Sequence, residues 1–242
     1  MIQAVLFDMG GVLAKICWDV KEIARLARIG LEEKGLLIPI DFESILDEEL
    51  YDAWLRVRKT LREENFAYII RKTLDRLGLT YDEDAISNAV NLIERGDFCH
   101  VSKDAEKILK QIKQMGLKIG LVSNAPGIFP INVLKRNGLD KYMDVMVTSY
   151  QVGVVKPHPK IFLYALNKLN VKPTETVFVG DTPEIDIRGA KNLGMITIWV
   201  KDGDPVMRER GMLELPKDLK PDYIVNDVSE ILDIIKDLID RK

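Results

Sequence analysis

Residues 4–13, AVLFDMGGVL, join a short apolar run to a lone carboxylate and two adjacent glycines. Asp8 is the only charged residue among the first fourteen. A short apolar run that ends at a turn is typical of a buried strand. In open parallel sheets, ligands bind beyond the carboxyl ends of the strands. The stretch therefore predicts a first strand with Asp8 at the edge of the sheet where chemistry takes place.

Five more runs of this kind follow residue 102, with amphipathic helical stretches between them. They cover residues 117–122, 144–149, 176–180, 195–200 and 222–225. Each is short, rich in β-branched residues and followed by turn or cap residues, which is typical of parallel strands buried on both faces. Strands that alternate with helices form doubly wound sheets, so the sequence predicts an α/β fold with a mostly parallel sheet.

Residues 19–98 interrupt this alternation, because they contain no strand-like run. Their apolar residues recur at helical spacing, as at Phe66, Ile69, Ile70, Leu74 and Leu77. Glycine, proline and polar breaks divide the segment into four predicted helices. We therefore predict a core formed by residues 1–18 and 99–242, with an α-helical domain of residues 19–98 inserted after the first strand.

The composition argues against nucleic-acid and membrane partners. Of 242 residues, 47% are hydrophobic, and the net charge is −3 with no basic cluster. No run approaches the roughly 18 apolar residues of a membrane helix, and the first residues lack the features of a signal peptide. We expect a cytoplasmic monomer or homodimer that acts on a small molecule. The 30% of charged residues, rich in Lys and Glu, is typical of proteins from thermophiles.

Polar residues follow four of the predicted strands. They are, in chain order, Asp8, Ser123, Asn124, Lys156, Asp181 and Asp186. One such residue alone is more often a turn or helix cap than part of a site. Together they supply a carboxylate nucleophile, a hydroxyl, a cation and a pair of acids. Since the carboxyl ends of parallel strands meet at one edge of the sheet, we predict a single site there.

The stretches around these residues resemble the motifs of the haloacid dehalogenase superfamily. They read FDMGGVL (7–13), VSNA (122–125), VVKPHPKIF (154–162) and VGDTPEIDIRGAKNLGM (179–195). Phosphatases of that superfamily carry, in order, Asp-x-Asp-Gly-[Thr/Val], a Ser or Thr, a Lys and Gly-Asp-x-x-x-x-Asp. The resemblance covers nearly the whole chain and implies a Rossmann-like core closed by a mobile helical cap. It also implies a Mg²⁺-dependent phosphatase that acts on a small phosphorylated metabolite.

The resemblance assigns four residues to the metal site. Asp8 would give one carboxylate oxygen to Mg²⁺ and attack phosphorus with the other, forming an aspartyl-phosphate. Asp181 would bind the ion directly, and Asp186 would hold metal-bound water or orient Asp181. The backbone carbonyl ligand of the family would come from Gly10, because a glycine has a carbonyl like any other residue.

The resemblance gives the phosphoryl group further partners. Ser123 and the backbone N–H of Asn124 would hold its oxygens, with Gly11 in the same substrate-binding group. Lys156 would neutralise the charge of Asp8 and of the phosphate as a point cation. We therefore expect Asp8 and Lys156 to be the catalytic side chains.

Gly10 departs from the family pattern, which has an aspartate general acid at this position. Such a group contributes about 10²–10⁴-fold to the rate, or roughly 3–5.5 kcal/mol. Three outcomes stay open: a leaving group that needs little protonation, a donor from the cap or the substrate, or a protein that binds phosphate without turnover. A 2-haloacid dehalogenase is also open, because halide leaves without a proton. That reaction does not need the acid pair of Asp181 and Asp186.

Four residues outside the motifs are candidates for selecting the substrate at the cap or its hinge. They are Lys15, Trp18, Arg56 and Arg58. Long cationic side chains are mostly exposed, so a solvated helix face is the commoner place for the two arginines. The motifs themselves do not specify which substrate is bound.

Cys17 and Cys99 stand where the chain enters and leaves the predicted cap. A cytoplasmic chain normally keeps its cysteines reduced, so we expect buried free thiols. A bridge between the two is the alternative, since intracellular disulfides do occur in thermophiles. A Cα separation above about 7 Å would exclude that bridge.

Overall fold

A computed structural model describes residues 1–240 and has a six-stranded parallel sheet at its centre. The strands, numbered along the chain, are β1 Ala4–Phe7, β2 Ala14–Ile16, β3 His100–Val101, β4 Lys118–Ser123, β5 Val145–Thr148, β6 Thr176–Gly180, β7 Ile196–Val200 and β8 Tyr223–Val225. The order within the sheet is β5-β4-β1-β6-β7-β8, and all its neighbours pair in parallel. The predicted α/β fold is confirmed, and each of the six predicted strands belongs to this sheet.

β1 lies inside the sheet at the point where the strand order reverses. The chain runs from β1 to its neighbour β4 and on to β5, then returns to the other side of β1 for β6, β7 and β8. Every residue of β1 is fully buried, as expected for a strand covered on both faces. The crevice beyond the carboxyl end of β1 is therefore where this fold binds ligands.

Four helices separate β2 from β3 along the chain, as the helical spacing predicts. They are α1 Val20–Glu32, α2 Phe42–Thr60, α3 Phe66–Arg76 and α4 Glu83–Arg95. Asn65 and Asp82 cap α3 and α4 by accepting backbone N–H bonds. α1 and α4 pack closely because Gly30 has no side chain: a Cβ there would lie 2.5 Å from Ala89 Cα. Residues 20–95 are called the four-helix insert below.

The remaining helices surround the sheet. They are α5 Ala105–Gln114, α6 Phe129–Arg136, α7 Ser149–Val152, α8 Pro159–Leu169, α9 Arg188–Asn192, α10 Pro205–Glu209 and α11 Ile231–Asp240. Their packing leaves the side chains of β1, β4 and β6 almost completely buried. Among residues 1–240, no helix combines the length and the apolar composition that crossing a membrane requires.

β2 and β3 form a small antiparallel pair that joins the two ends of the four-helix insert. Ile16 lies opposite His100 in this pair. The next position in that register is occupied by Cys17 and Cys99, which form a disulfide with a Cα separation of 4.0 Å. The expectation of free thiols is therefore wrong, and the alternative of a bridge is correct. Antiparallel pairing brings together two cysteines that are 82 residues apart in the sequence.

Candidate active site

The carboxyl ends of β1, β4 and β6 bring the predicted residues to one place. Phe7 pairs with Leu121 on β4 and with Val179 on β6, so the residues that follow emerge side by side. Asp8 donates its backbone N–H to the carbonyl oxygen of Val179 at 2.9 Å. One cavity is lined by Gly10 and by the six polar residues singled out from the sequence: Asp8, Ser123, Asn124, Lys156, Asp181 and Asp186.

Lys156 lies at the centre of this cluster and is almost completely buried. Its Nζ is 2.7 Å from Asp8 Oδ1 and 2.7 Å from Asp186 Oδ1. Burial alone would lower the pKa of Lys156, but the charges of Asp186 and Asp8 raise it above its ordinary value. Lys156 therefore stays protonated and neutralises part of the negative charge at the strand ends.

The side chain of Asn124 fixes the backbone of Lys156. Lys156 donates its N–H to Asn124 Oδ1 at 2.7 Å, and Asn124 Nδ2 donates to the carbonyl oxygen of Lys156 at 3.1 Å. The sequence predicted only a backbone role for Asn124. The amide side chain thus links the end of β4 to the loop that delivers the cation, and this link was not foreseen.

Three carboxylates converge at the strand ends. Asp8, Asp181 and Asp186 each offer an oxygen, and these oxygens lie within 4.8 Å of one another. Burial raises the pKa of Asp8 to about 6, with Lys156 opposing the rise and Asp186 adding to it. Burial, together with the charges of Asp186 and Asp8, raises the pKa of Asp181 well above its ordinary value. Three acids around one ammonium leave an excess of negative charge that a further cation would offset.

The donor set fits a Mg²⁺ ion. Mg²⁺ prefers hard oxygen ligands and is usually bound by one or two carboxylates together with waters and phosphate oxygens. Asp186 Oδ2 accepts the backbone N–H groups of Asp181 at 3.2 Å and of Thr182 at 3.0 Å. Asp186 is thus placed to orient the Asp181 loop, which is one of the two roles that the family resemblance implies for it.

Two glycine turns press against the carboxylate of Asp181. A Cβ at Gly11 would lie 2.1 Å from Asp181 Oδ2, and a Cβ at Gly203 would lie 2.4 Å from it. Gly11 also has a φ of +66°, which favours glycine. Gly11 was predicted to border the substrate, but its close contact is with Asp181, and the cavity lining within residues 1–240 does not include it. These turns hold the Asp181 carboxylate in place.

A buried carboxylate stands next to Gly10, where the family acid is missing. Gly10 does not share the positive φ of Gly11. A Cβ at Gly10 would lie 3.3 Å from Asp204 Oδ2. Asp204 donates its backbone N–H to Asp181 at 2.8 Å, and burial raises the pKa of the Asp204 carboxyl. Asp204 lies in the loop after β7, which ends at Val200, whereas Asp8 directly follows β1. An acid in a loop at the carboxyl end of a strand is the signal that could have identified it.

The four-helix insert forms the opposite wall of the cavity, which has a volume of about 580 Å³. Its lining is largely apolar and aromatic and includes Leu50, Ala53, Trp54 and Val57 from α2. Among the predicted substrate-selecting residues, Trp18 and Arg58 line the cavity. Arg56 instead pairs with Glu64, with Nη2 and Oε2 2.8 Å apart, and the side chain of Lys15 is exposed.

Glu63, at the junction between insert and core, is a cavity residue that the sequence did not reveal. Its backbone N–H donates to the carbonyl oxygen of Gly153 at 3.2 Å, and its carboxylate accepts a hydrogen bond from the Ser149 hydroxyl. The Ser149 hydroxyl oxygen in turn accepts the backbone N–H of Ala125 at 2.8 Å. Burial raises the pKa of Glu63 to about 7, against the effect of the Ser149 hydrogen bond. Glu63 thus couples the insert to the loop that follows Ser123.

Comparisons with known proteins agree with this geometry. The model of the haloacid dehalogenase-like hydrolases matches residues 2–194. Glyceraldehyde 3-phosphate phosphatase from Methanopyrus kandleri is 31% identical, covering 98% of this chain and 99% of its own length. A HAD phosphatase structure from Thermococcus onnurineus is 26% identical, with a TM-score of 0.63 and coverage of 97% and 98%. L-2-haloacid dehalogenase from Xanthobacter autotrophicus is 23% identical, with a TM-score of 0.66 and coverage of 98% and 99%.

The family match covers well over half of the chain, and the strand-end cluster is built from the residues that the sequence resemblance assigned to the site. This chain belongs to the haloacid dehalogenase-like hydrolases. The likeness to the Xanthobacter dehalogenase concerns the fold alone, because phosphatases and dehalogenases of this family share it. The residues of the site, and not the fold, distinguish a phosphatase from a dehalogenase.

Proposed function

We propose that this protein is a Mg²⁺-dependent phosphatase that hydrolyses a small phosphorylated metabolite through an aspartyl-phosphate on Asp8. The observation that carries the proposal is the cluster of Asp8, Asp181 and Asp186, in which Asp8 and Asp186 both pair with the buried Lys156. A phosphate monoester is a dianion, so attack by a carboxylate requires that charge be cancelled and that the approach be fixed. The phosphatase from Methanopyrus kandleri supports the same reaction class.

The residues that would hold Mg²⁺ are Asp8, Asp181 and the carbonyl of Gly10, with Asp186 orienting the Asp181 loop. When bound, the ion would supply the positive charge that offsets the phosphate and the acids. Lys156 would add a second positive charge next to Asp8. Burial raises the pKa of both Asp8 and Asp181, so a cation beside them would favour their ionised forms.

In the first step, a carboxylate oxygen of Asp8 attacks phosphorus, and the bond from phosphorus to the leaving oxygen breaks. The Ser123 hydroxyl and the Asn124 backbone N–H would donate hydrogen bonds to the phosphoryl oxygens. In the second step, water attacks the phosphorus of the aspartyl-phosphate and the bond from phosphorus to the Asp8 oxygen breaks. The protons of the water leave with inorganic phosphate, and the Asp8 carboxylate is restored. Lys156 holds the Asp8 carboxylate in position through both steps.

The leaving oxygen needs a proton or must depart with its charge. Gly10 offers no side chain for this, so the reaction should favour leaving groups that are already acidic. We propose aryl phosphates, acyl phosphates and sugar 1-phosphates as better substrates than simple alkyl phosphates. A donor from the insert or from the substrate itself would weaken this preference.

We propose that residues 1–18 and 99–242 form the catalytic core and that residues 19–98 form a cap over it. The cavity lies between the strand ends and α2, so the insert is placed to exclude water from the reaction. The antiparallel pair β2 and β3 lies at both ends of the insert and is a suitable hinge.

Hydrolysis of p-nitrophenyl phosphate tests the proposal. We expect hydrolysis that requires Mg²⁺, stops on chelation, and falls at least about 10³-fold in the Asp8→Asn variant, which lacks the nucleophile. The Asp47→Asn variant is the matched control, because Asp47 lines the cavity from the insert and is exposed. Activity that survives in a folded Asp8→Asn protein would mean that Asp8 is not the nucleophile.

A 2-haloacid dehalogenase is the second candidate, and Gly10 favours it because halide leaves without a proton. The acid cluster weighs against it, since displacement of halide by Asp8 needs no metal site. Chloride release from 2-chloropropionate in the presence of a chelator, without phosphatase activity, would support this candidate instead.

A further inference from the structure

Two arginines from different parts of the molecule pack near the ring of Trp54, which belongs to α2. The guanidinium carbon of Arg58, one turn further along α2, is 4.8 Å from the centre of the Trp54 ring. The guanidinium carbon of Arg210, which follows α10 in the core, is 5.2 Å from it. Tyr51 stacks on the same ring with a centroid distance of 5.7 Å. All four residues line the cavity that contains Asp8.

Four arginines of the insert are held in ion pairs, whereas the two arginines at Trp54 are not, in the part of the chain that the structure describes. Arg25, Arg28, Arg71 and Arg76 each form an ion pair with a glutamate. Within residues 1–240, neither Arg58 nor Arg210 forms one. The hydrogen-bond partner of the Arg58 guanidinium is Met212 Sδ at 3.9 Å, and a thioether is a weak acceptor.

An arginine that packs its face on an aromatic ring keeps the N–H groups of its edge available for other partners. Those N–H groups match the geometry of a carboxylate or phosphoryl group and can bind it with two hydrogen bonds. Two positive guanidinium groups near one ring repel each other, and an anion that both of them bind would offset that repulsion. The charge of Arg210 also acts on the Asp204 carboxyl, where it opposes the rise in pKa that burial causes, but within residues 1–240 neither arginine forms an ion pair. Arg58 and Arg210 therefore have the charge and the donor geometry of an oxyanion site.

We infer that the cavity binds phosphate monoesters that carry a second anionic group, a carboxylate or a phosphoryl group, which Arg58 and Arg210 hold. This inference rests on the proposed function, because the first phosphoryl group must lie at Asp8. A substrate of this class would bridge the insert and the core, since the two arginines belong to different parts. The cavity of about 580 Å³ has room for such a molecule, and its aromatic wall suits an apolar body between the two charges.

The test uses aryl phosphates that differ only in the charge at the far end. The anionic probes are (carboxyalkyl)phenyl and (phosphonoalkyl)phenyl phosphates, with one or three methylene groups to vary the reach. The neutral probes are the matching carboxamides, which keep the shape and nearly the same phenol leaving group. Affinity is measured by calorimetry on the Asp8→Asn protein with Mg²⁺, so that the result does not depend on turnover.

We expect at least one anionic probe to bind 10–100-fold more tightly than its carboxamide, as hydrogen bonds to charged groups commonly give. The Arg58→Gln and Arg210→Gln variants should each lose most of that preference while binding the carboxamide as before. Arg56→Gln is the control, because Arg56 is paired with Glu64 and lies outside the cavity lining. Thermal melting verifies that each variant is folded.

The inference is wrong if the unmodified site binds both members of every probe pair with equal affinity. It is also wrong if Arg56→Gln loses as much affinity for the anionic probes as Arg58→Gln does. A third contradicting result is that Arg58→Gln and Arg210→Gln lose affinity equally for the anionic and the neutral probes. A preference for carboxylate or for phosphonate identifies which anion the site takes. Absence of Mg²⁺-dependent hydrolysis of the neutral probes by the unmodified protein would contradict the proposed function. The calorimetric preference for an anionic probe does not depend on turnover, so it would still test whether Arg58 and Arg210 bind an anion.

Discussion

An ion pair at the strand ends of the core differs from an ion pair on the surface of the four-helix insert. Lys156 and Asp186 have at most 1% of their side chains exposed and lie 2.7 Å apart. The pair of Arg71 and Glu83 on the insert keeps 35% and 71% of the two side chains exposed. Burying a charge costs several kcal/mol, whereas an exposed pair contributes roughly 0–1 kcal/mol. The buried charges of Lys156 and Asp186 therefore lower the stability of the fold, which indicates that they are present for the reaction at the strand ends.

Removing the cation from the buried pair and from the exposed pair should give the largest difference in activity and stability. We expect Lys156→Met to lower kcat/KM about 10²–10³-fold, because Asp8 and the phosphate lose a neutralising charge. It should also lower the free energy of unfolding by about 3–5 kcal/mol, since it leaves buried carboxylates without their cation. Arg71→Met should change stability by less than about 1 kcal/mol and leave activity intact. Chemical denaturation measures the unfolding free energy, and p-nitrophenyl phosphate hydrolysis measures kcat/KM. Similar losses in the two variants would contradict the comparison.

The strand-end residues could be predicted because the sheet fixes them. Once β1, β4 and β6 are recognised as parallel neighbours, Asp8, Ser123 and Asp181 must emerge at one edge. Lys156 follows its strand after a longer connection, so the strand order alone fixes its position less closely. Its double contact with Asp8 and Asp186 was visible only in the structure.

The insert side of the cavity could not be predicted in the same way. Helical spacing gives the number of helices, but which residues face the core depends on how the helices pack on it. Arg210 and Glu63 meet the cavity through loops whose direction no local pattern specifies. β2 and β3 are only three and two residues long, so their pairing, and with it the Cys17–Cys99 disulfide, left no periodic signal.

The disulfide at the base of the insert should contribute the next largest effect. Closing a loop of this length by a disulfide typically stabilises a protein by about 2–4 kcal/mol. We expect the Cys17→Ser/Cys99→Ser double variant to lose that amount, and dithiothreitol to lower the melting temperature of the unmodified protein. The same reagent should leave the double variant unchanged. Identical melting with and without reductant in both proteins would argue against the bridge in solution.

Glu63 should make stability depend on pH in a way that the exposed acids of the insert do not. Its pKa rises from 4.5 to about 7 in the folded protein. The stability that it contributes is therefore fully present below about pH 4.5 and is lost as the pH rises through 7, by up to about 3 kcal/mol. Ser149 donates a hydrogen bond to the carboxylate and opposes this rise, while the charge of Glu64 adds to it.

The Glu63→Gln variant should remove this loss, so that its unfolding free energy changes less between pH 5 and 8 than that of the unmodified protein. Glu83→Gln, on an exposed pair, is the control and should follow the unmodified protein. Parallel pH profiles for the unmodified protein and Glu63→Gln would mean that Glu63 ionises normally. Equilibrium denaturation at several pH values gives the answer.

Gly10→Asp should give the smallest effect and restore the acid of the family pattern. The φ of Gly10 is not positive, so the backbone accepts a side chain. The new carboxyl would lie next to Asp204, and two adjacent carboxyls raise the pKa of one of them, which suits a proton donor. We expect alkyl phosphates to gain about tenfold, the low end of general acid catalysis, and p-nitrophenyl phosphate to change little. If the hydrolysis rate depends equally on leaving-group pKa in the unmodified protein and in Gly10→Asp, another group already supplies the proton.

Rapid acid quench during turnover of a ³²P-labelled aryl phosphate shows whether the phosphoryl group is transferred to Asp8. We expect radioactivity on the peptide that contains Asp8, released by hydroxylamine as expected for an acyl phosphate, and absent in Asp8→Asn. Label on a different residue, or turnover that persists in Asp8→Asn, would contradict it.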